Sequence, residues 1–296
     1  LNCSTISSTV VVSAPAIVAV TDTTPSVNGL PGGTTTALTS NDTLNGSPVV
    51  VGTAAGNVQI TSSTVPAGSA LVVNADGTVT VPANTPSGNY SVSYTICEVN
   101  NPLNCSTISS TVVVSAPAIV AVTETTPSVN GLPGGTTTAL TSNDTLNGSP
   151  VVVGTAAGNV QITSSTVPVG SGLVVNADGT VTVPANTPSG NYSVSYTICE
   201  VDNPSNCSTI SSTVVVSAPA IAAVTETTPS VNGLPGGTTT ALTSNDTLNG
   251  SPVVVGPAAG NVQITSSTVP AGSGLVVNAD GTVTVPANTP SGNYSV

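Results

Sequence analysis

The chain has no lysine, arginine, histidine, phenylalanine, methionine or tryptophan. Each absence removes a class of function. Phosphate contacts need cations, so a chain of net charge −12 with no basic side chain is read as binding no nucleic acid. The same lack argues against docking to anionic lipid. Without His, Lys or Arg there is no Ser–His dyad, no Schiff base and no phosphoryl clamp. Paired carboxylates are the one enzymatic route left. Asp144, Asp178 and Glu200 stand apart in the sequence, however, and read as solvated residues of turns and strand ends. The chain is therefore read as no enzyme. No salt bridge between side chains can form. "GLPGG" (Gly131–Gly135) is followed by no helix and no Lys-Ser/Thr pair, so it reads as a turn and not a phosphate loop. The most apolar run, "VVVSAPAIVAV" (Val10–Val20), falls short of the ~20 residues that span a bilayer and holds a proline, so no membrane insertion is expected in this segment.

Val, Thr, Ser, Ala and Asn fill the sequence instead. Positive mean hydropathy with many β-branched residues points to half-buried strands, not disorder. Helical periodicity is absent.

An internal repeat organises all 296 residues. Cys3, Cys105 and Cys207 share the context "NCSTISSTVVVSAPAI" at a period of 102. Residues 13–114 and 115–216 differ at five positions: Asp22/Glu124, Ala67/Val169, Ala70/Gly172, Asn100/Asp202 and Leu103/Ser205. The expected organisation is the last strand of a preceding repeat at 1–13, repeat 1 at 14–115, repeat 2 at 116–217, and repeat 3 at 218–296. The third copy stops before its cysteine hairpin, and Cys3 lacks the partner its copies have. The sequence thus reads as a piece of a longer array.

Within one unit, short strand signals alternate with Gly, Pro, Asn and Asp. Strands are expected at Ala118–Thr123, Thr136–Ser142, Val151–Val153, Asn159–Ser165, Gly172–Val175, Thr180–Ala185, Asn191–Val201 and Ser208–Val216, with "NDTLNGSP" as a loop. This rhythm in about a hundred residues suits a β-sandwich. Tyr192, Val194, Tyr196 and Ile198 share one face of their strand and are placed inward. Ser193, Ser195, Thr197 and Cys199 share the solvent-facing side. On the last strand Ile210, Val214 and Val216 point inward.

Cys199 and Cys207 fall across a hairpin turn, as do Cys97 and Cys105. Facing positions in a hairpin lie close enough for a disulfide. Two thiolates per unit with no histidine cannot complete a zinc site, and the spacing is too long for a Cys-X-X-Cys redox pair. Structural disulfides 97–105 and 199–207 are therefore expected, locking an edge hairpin, with Cys3 unpaired. A persistent disulfide implies an oxidising compartment, so the expected location is extracellular or at a cell surface.

"ALTSNDTLNGSPV" (Ala139–Val151), followed by "VVNADGTVTVPANTPSGNYSVSYTI" (Val174–Ile198), resembles the cadherin-like, immunoglobulin-like tandem repeats of giant bacterial surface adhesins. The hairpin "YTICEVDNPSNC" (Tyr196–Cys207) is similar to repeats of very large secreted proteins of gliding Bacteroidetes. The resemblance implies an all-β tandem array of Ig-like or cadherin-like sandwiches joined end to end. It implies the stalk of a long adhesin or filament, acting as a rigid spacer in a cell-adhesion or gliding-motility system. The expected partners are neighbouring repeats of the same chain, with other copies in a fibre as a second candidate. In many such families calcium stiffens the joints; the matching positions are Asp22, Glu124 and Glu226 with Asp42, Asp144 and Asp246. Relatives carry further aspartates where this chain has "TLNG", so no cofactor is expected and calcium is the alternative. "DTL" is similar to a Bacteroidetes O-glycosylation signal, which makes Thr43, Thr145 and Thr247 the candidate acceptors of a glycoprotein. Two further functional readings are repeats that themselves bind a glycan or surface, and subunits that self-assemble by strand exchange.

Overall fold

The computed structural model describes residues 2–296. Every regular element among them is a strand. In repeat 1 these are β1 (Ile17–Val18), β2 (Val27–Asn28), β3 (Gly33–Thr34), β4 (Thr43–Leu44), β5 (Ser47–Pro48), β6 (Val58–Thr64), β7 (Val72–Val73), β8 (Val79–Val81), β9 (Gly88–Glu98) and β10 (Asn101–Ser115). They form a four-stranded sheet in the order β2-β10-β9-β6 and two small sheets, β3-β8-β7 and β1-β4-β5. Repeat 2 repeats all three sheets, and repeat 3 repeats the two small ones.

The β9–β10 hairpin is the spine. Its register runs unbroken from Cys105↔Cys97 to Val114↔Gly88. Alternation along β9 puts Val92, Tyr94 and Ile96 on the inner face, and β10 adds Val112 and Val114. Val58 of β6 joins them from the same sheet, and across the core they meet Val79 and Val81 of β8, together with Leu38 and Leu71. In repeat 2 Val194, Tyr196, Ile198, Val214 and Val216 are buried in the same way. Tyr192 and Ile210 are only half-buried. The chain is thus an all-β tandem array of two-layer sandwich units.

Three local expectations are corrected. "NDTLNGSP" is not an open loop: in repeat 2 Thr145–Leu146 pairs with Ser149–Pro150 around Asn147 and Gly148, whose φ values are 52° and 78°. Two left-handed residues in a two-residue connection are what a tight hairpin demands, and Asn-Gly meets that demand. The strand expected at Thr136–Ser142 ends at Thr136. Beyond it Thr137 Oγ1 accepts from the Val181 amide at 2.9 Å, a side chain taking the place of a ladder carbonyl. Val151–Val153 supplies only one bridging pair, Val153↔Val160.

By contact the chain separates into two compact units. One holds the chain up to Val122 with Thr141–Ser164 and Thr197–Thr209; the other holds Thr123–Leu140, Ser165–Tyr196 and Ile210–Val296. The residues that join repeats 1 and 2 lie in the first unit, and those that join repeats 2 and 3 lie in the second.

Two glycines separate conformation from space. Gly46 has φ 78°, and a β-carbon added there would meet nothing within 4 Å, so Gly46→Ala incurs only the left-handed penalty, about 1–2 kcal/mol. A β-carbon on Gly29 would stand 2.0 Å from the Thr85 carbonyl oxygen, a backbone atom that cannot step aside. Gly29→Ala should cost several times as much. Chemical denaturation of the two variants checks the order, and equal midpoints would contradict it.

Candidate functional site at the repeat joint

The linker Ser115-Ala116-Pro117-Ala118 is short, and almost all of its carbonyls are held. Ser115 O accepts from the Gly29 amide of repeat 1 at 2.9 Å. Pro117 O accepts from Asn206 Nδ2 of repeat 2 at 2.9 Å. Ala118 O accepts from the Asn147 amide at 2.7 Å. Only Ala116 stands between the part bonded to one repeat and the part bonded to the next. Pro117 adds a fixed φ.

Asn206 belongs to the cysteine hairpin. Cys199 and Cys207 are bonded, with Cα atoms 4.1 Å apart, and Cys97–Cys105 is built the same way. Cys3 is an exposed free thiol. The pair closes the loop 200–206, where the Glu200 amide donates to Asn206 O at 3.0 Å. Asn206 Nδ2 also donates to Glu200 Oε2 at 2.9 Å, so one amide group ties the linker to the hairpin. Repeat 1 repeats the arrangement: Asn104 Nδ2 donates to Pro15 O at 2.8 Å and to Glu98 Oε2 at 3.0 Å.

The same loop reaches the preceding sandwich. Asn203 Oδ1 accepts from the Ser87 amide of repeat 1, and Asn203 is only 5% exposed. A second amide pair spans the joint, Asn28 Nδ2 donating to Asn147 Oδ1 at 3.0 Å. Gly158 packs so close to Asn84 that a β-carbon there would lie 2.9 Å from Asn84 Oδ1. The next joint repeats part of this, with Asn130 Nδ2 on Asn249 Oδ1 at 2.9 Å and the Asn249 amide on Ala220 O at 2.6 Å. Sequence reasoning assigned the hairpin to its own sandwich and missed these asparagines. The signal available was the recurrence of Asn-Gly and Asn beside cysteine at each period.

The cysteines themselves depart from expectation. Cys97 and Cys199 lie on the outer face but are 5% exposed. The neighbouring strand covers them: Thr163 Oγ1 lies 3.2 Å from Cys199 Sγ, and Thr61 does the same at Cys97. Cys105 and Cys207 are exposed.

Two acidic residues read as solvated are buried. Glu200 is 1% exposed, and Asp144 is fully buried, as is Asp42 in repeat 1. Asp178 does sit in an exposed turn, where the Thr180 hydroxyl and amide hold its carboxyl below the usual range. Asp42 Oδ1 accepts from the Val20 amide at 2.7 Å and Asp144 Oδ1 from the Val122 amide at 2.7 Å. Asp42 Oδ2 lies 2.9 Å from Tyr94 Oη, which also lies 2.8 Å from Leu38 O. One phenolic hydrogen faces two acceptors. Burial, the largest influence, raises the Asp42 carboxyl above its ordinary value. Burial and the Asp42 bond likewise raise the Tyr94 phenol.

These residues do not fit calcium. Both oxygens of Asp42 are engaged inside the sandwich. Asp22 accepts from the Thr23 amide at 2.7 Å and the Ser40 hydroxyl at 3.2 Å. Glu226 accepts from the Ser244 hydroxyl at 2.6 Å, and Asp246 from the Val224 amide at 2.7 Å. Among the described residues no three His, Cys, Asp or Glu side chains gather closely enough to hold a metal ion. Six or more oxygens, the usual calcium shell, are not assembled. The glycosylation candidates Thr43, Thr145 and Thr247 lie half-buried on two-residue strands beside these aspartates.

No family model and no curated protein matches the chain. Among solved structures, human protocadherin-24 EC1-2 is 16% identical, covering 69% of this chain and 99% of its own, at a TM-score of 0.28. Mouse cadherin-23 EC22-24 is 13% identical, covering 92% and 88%, at 0.26. The human desmocollin-1 ectodomain is 11% identical at 0.27, and this chain, 93% covered, spans 55% of it. Superpositions this loose carry no argument, and the architecture rests on the strand pairings above. No helix of the described residues is long and apolar enough to cross a membrane.

A carboxyl whose pKa is raised on folding stabilises the fold in acid. Its contribution is complete below the unfolded value, 3.8, and is lost as pH rises through the folded value. Asp76, Asp178 and Asp280, lowered by bonds from Thr78, Thr180 and Thr282, act with the opposite sign. The difference in stability between the wild type and Asp42→Asn isolates the first effect. Asp42→Asn should gain on the wild type as pH rises above 4 toward neutrality. A difference that is flat with pH would show that folding does not raise the Asp42 carboxyl.

Proposed function

We propose that this chain is a spacer: a stalk segment of a long extracellular adhesin or filament, in which each sandwich adds length and each joint keeps direction. The observation that carries the reading is the linker, whose carbonyls at Ser115, Pro117 and Ala118 are bonded to one repeat or the other with only Ala116 between. A flexible tether needs no such bonds. Two disulfides support an oxidising, extracellular setting. The near-identity of the repeats suits a part whose value is its length. The absence of His, Lys and Arg leaves no nucleophile–base pair to assign. Attachment to a surface protein of gliding Bacteroidetes follows from the sequence resemblance. So does O-glycosylation at Thr43, Thr145 and Thr247, which intact-mass peptide mapping reads directly.

Binding by the repeats themselves finds less support. Tyr94 and Tyr196 are 1% exposed and offer no ring to a sugar, and the half-buried Tyr90, Tyr192 and Tyr294 each donate their hydroxyl to a nearby proline carbonyl.

Each unit should add roughly 30–45 Å, most of it the length of the 11-residue spine strand Gly88–Glu98 at ~3.3 Å per residue. Small-angle scattering of the intact chain should give an elongated particle of that length per repeat. The profile should be the same in millimolar calcium and in chelator. A compact particle, or one that extends only with calcium, would overturn the reading.

A further inference from the structure

We propose that the cysteine hairpin is a reducible lock on one side of the joint, so that cleaving Cys199–Cys207 releases the hairpin loop from repeat 1 without unfolding either repeat. The inference rests on the spacer reading and adds its regulation.

Position along the hairpin is the reason. The disulfide in repeat 1 stands where the unbroken ladder ends, at Cys105↔Cys97; all the core residues of β9 and β10 lie on the ladder side of it. In repeat 2 the residues beyond Cys199 and Cys207 are the loop 200–206. That loop contributes no apolar side chain to the core, but it carries the two asparagines of the joint. Asn206 adjoins Cys207 and holds Pro117 O. Asn203 caps the Ser87 amide of the preceding repeat. The loop holds two buried atoms without a hydrogen-bond partner, Glu200 Oε1 and Asn203 Nδ2. The covalent closure acts alongside the loop's own bonds, Val201 N to Asn159 O at 3.0 Å and Gly158 N to Asp202 Oδ2 at 2.6 Å, in keeping those costly unpaired atoms buried. When that closure is lost, water reaches both atoms as the loop leaves.

The bond is open to attack from one side. Cys199 is covered by Thr163, whereas Cys207 is exposed. A thiolate of a small dithiol attacks Cys207 Sγ and expels Cys199 as thiolate, forming a mixed disulfide. The second thiol of the reductant then closes its own disulfide and releases Cys207. Two electrons pass from the dithiol to the pair, and both cysteines end as thiols after protonation.

Amide hydrogen exchange on the intact chain, before and after dithiothreitol and alkylation, reads the joint and the core separately. The Ser87 amide reports the joint, and the Val92, Val112 and Val194 amides report the core. Ser87 should exchange at least about tenfold faster after reduction, with the core amides unchanged within about twofold. Asn206→Ala in the oxidised chain should also speed Ser87, although Asn206 does not touch it. Unchanged exchange at Ser87, or loss of core protection together with it, would overturn the lock. The spacer reading fails separately, through a compact scattering profile of the oxidised chain.

Discussion

Asn206 carries two amide hydrogens, and they go to oxygens in different parts of the molecule, Pro117 O in the linker and Glu200 Oε2 in the hairpin. A linker carbonyl held this way has lost most of its rotational freedom, and the amide that holds it is fixed by the adjoining disulfide. The arrangement exists in repeat 1 as well, through Asn104, Pro15 and Glu98. There Asn101, the counterpart of Asn203, is only half-buried. The clamp on the linker is therefore intrinsic to the hairpin, and burial of the second asparagine comes with the neighbouring sandwich. A preformed clamp lowers the entropic cost of ordering the joint, because little freedom is left to lose when two repeats meet.

The absence of cations shapes everything around that clamp. A buried carboxyl is ordinarily matched by Arg or Lys, or by a metal ion. This chain has neither basic residue, yet Asp42, Asp144 and Glu200 are buried. Their partners are the hydrogens that remain: backbone amides at Val20 and Val122, the Tyr94 phenol, and the Asn206 side chain. Burial raises the Asp42 carboxyl, and the neutral donors at Val20 and Tyr94, weaker than a charged partner, offset that rise only in part. The aspartates of the Asn-Asp turns thus tie the first strand to the sandwich.

Much of the fold was legible from period two alone. The spine strands, the inward Val, Tyr and Ile residues, and the facing cysteines all follow from alternation and a hairpin turn. Elements of two residues were not legible, because a two-residue strand has no period to read. The Asn147-Gly148 hairpin had a local signal in its Asn-Gly pair, but the surrounding "NDTLNGSP" is so rich in turn formers that the signal reads as a loop. The burial of Asp144 and Glu200 was invisible for another reason. It depends on partners outside the residue's own strand, Val122 of the first strand region for one and Asn206, itself bonded to the linker, for the other. The joint was the least legible part, since Asn and Ser are read as solvent-facing unless a neighbouring domain covers them.

The five positions at which repeats 1 and 2 differ mark which parts of the unit tolerate change. None lies on the inner face of the β9–β10 ladder. Ala70 has a left-handed φ of 54°, strained for alanine, and its counterpart Gly172, at 69°, accepts that conformation without penalty. Ala67 becomes Val169, which is fully exposed and meets nothing. Asn100/Asp202 and Leu103/Ser205 both fall in the cysteine hairpin, and there the two backbones differ. In repeat 1 Asn101 pairs back with Glu98 across a tight turn. In repeat 2 the loop opens, and Asp202 Oδ2 accepts from the Gly158 amide at 2.6 Å. A carboxylate accepts that bond with both oxygens available, whereas an asparagine must turn its one carbonyl toward it. The hairpin tips thus differ in what lies against them as well as in sequence, since in repeat 2 the tip also meets the preceding sandwich through Asn203 and Ser87.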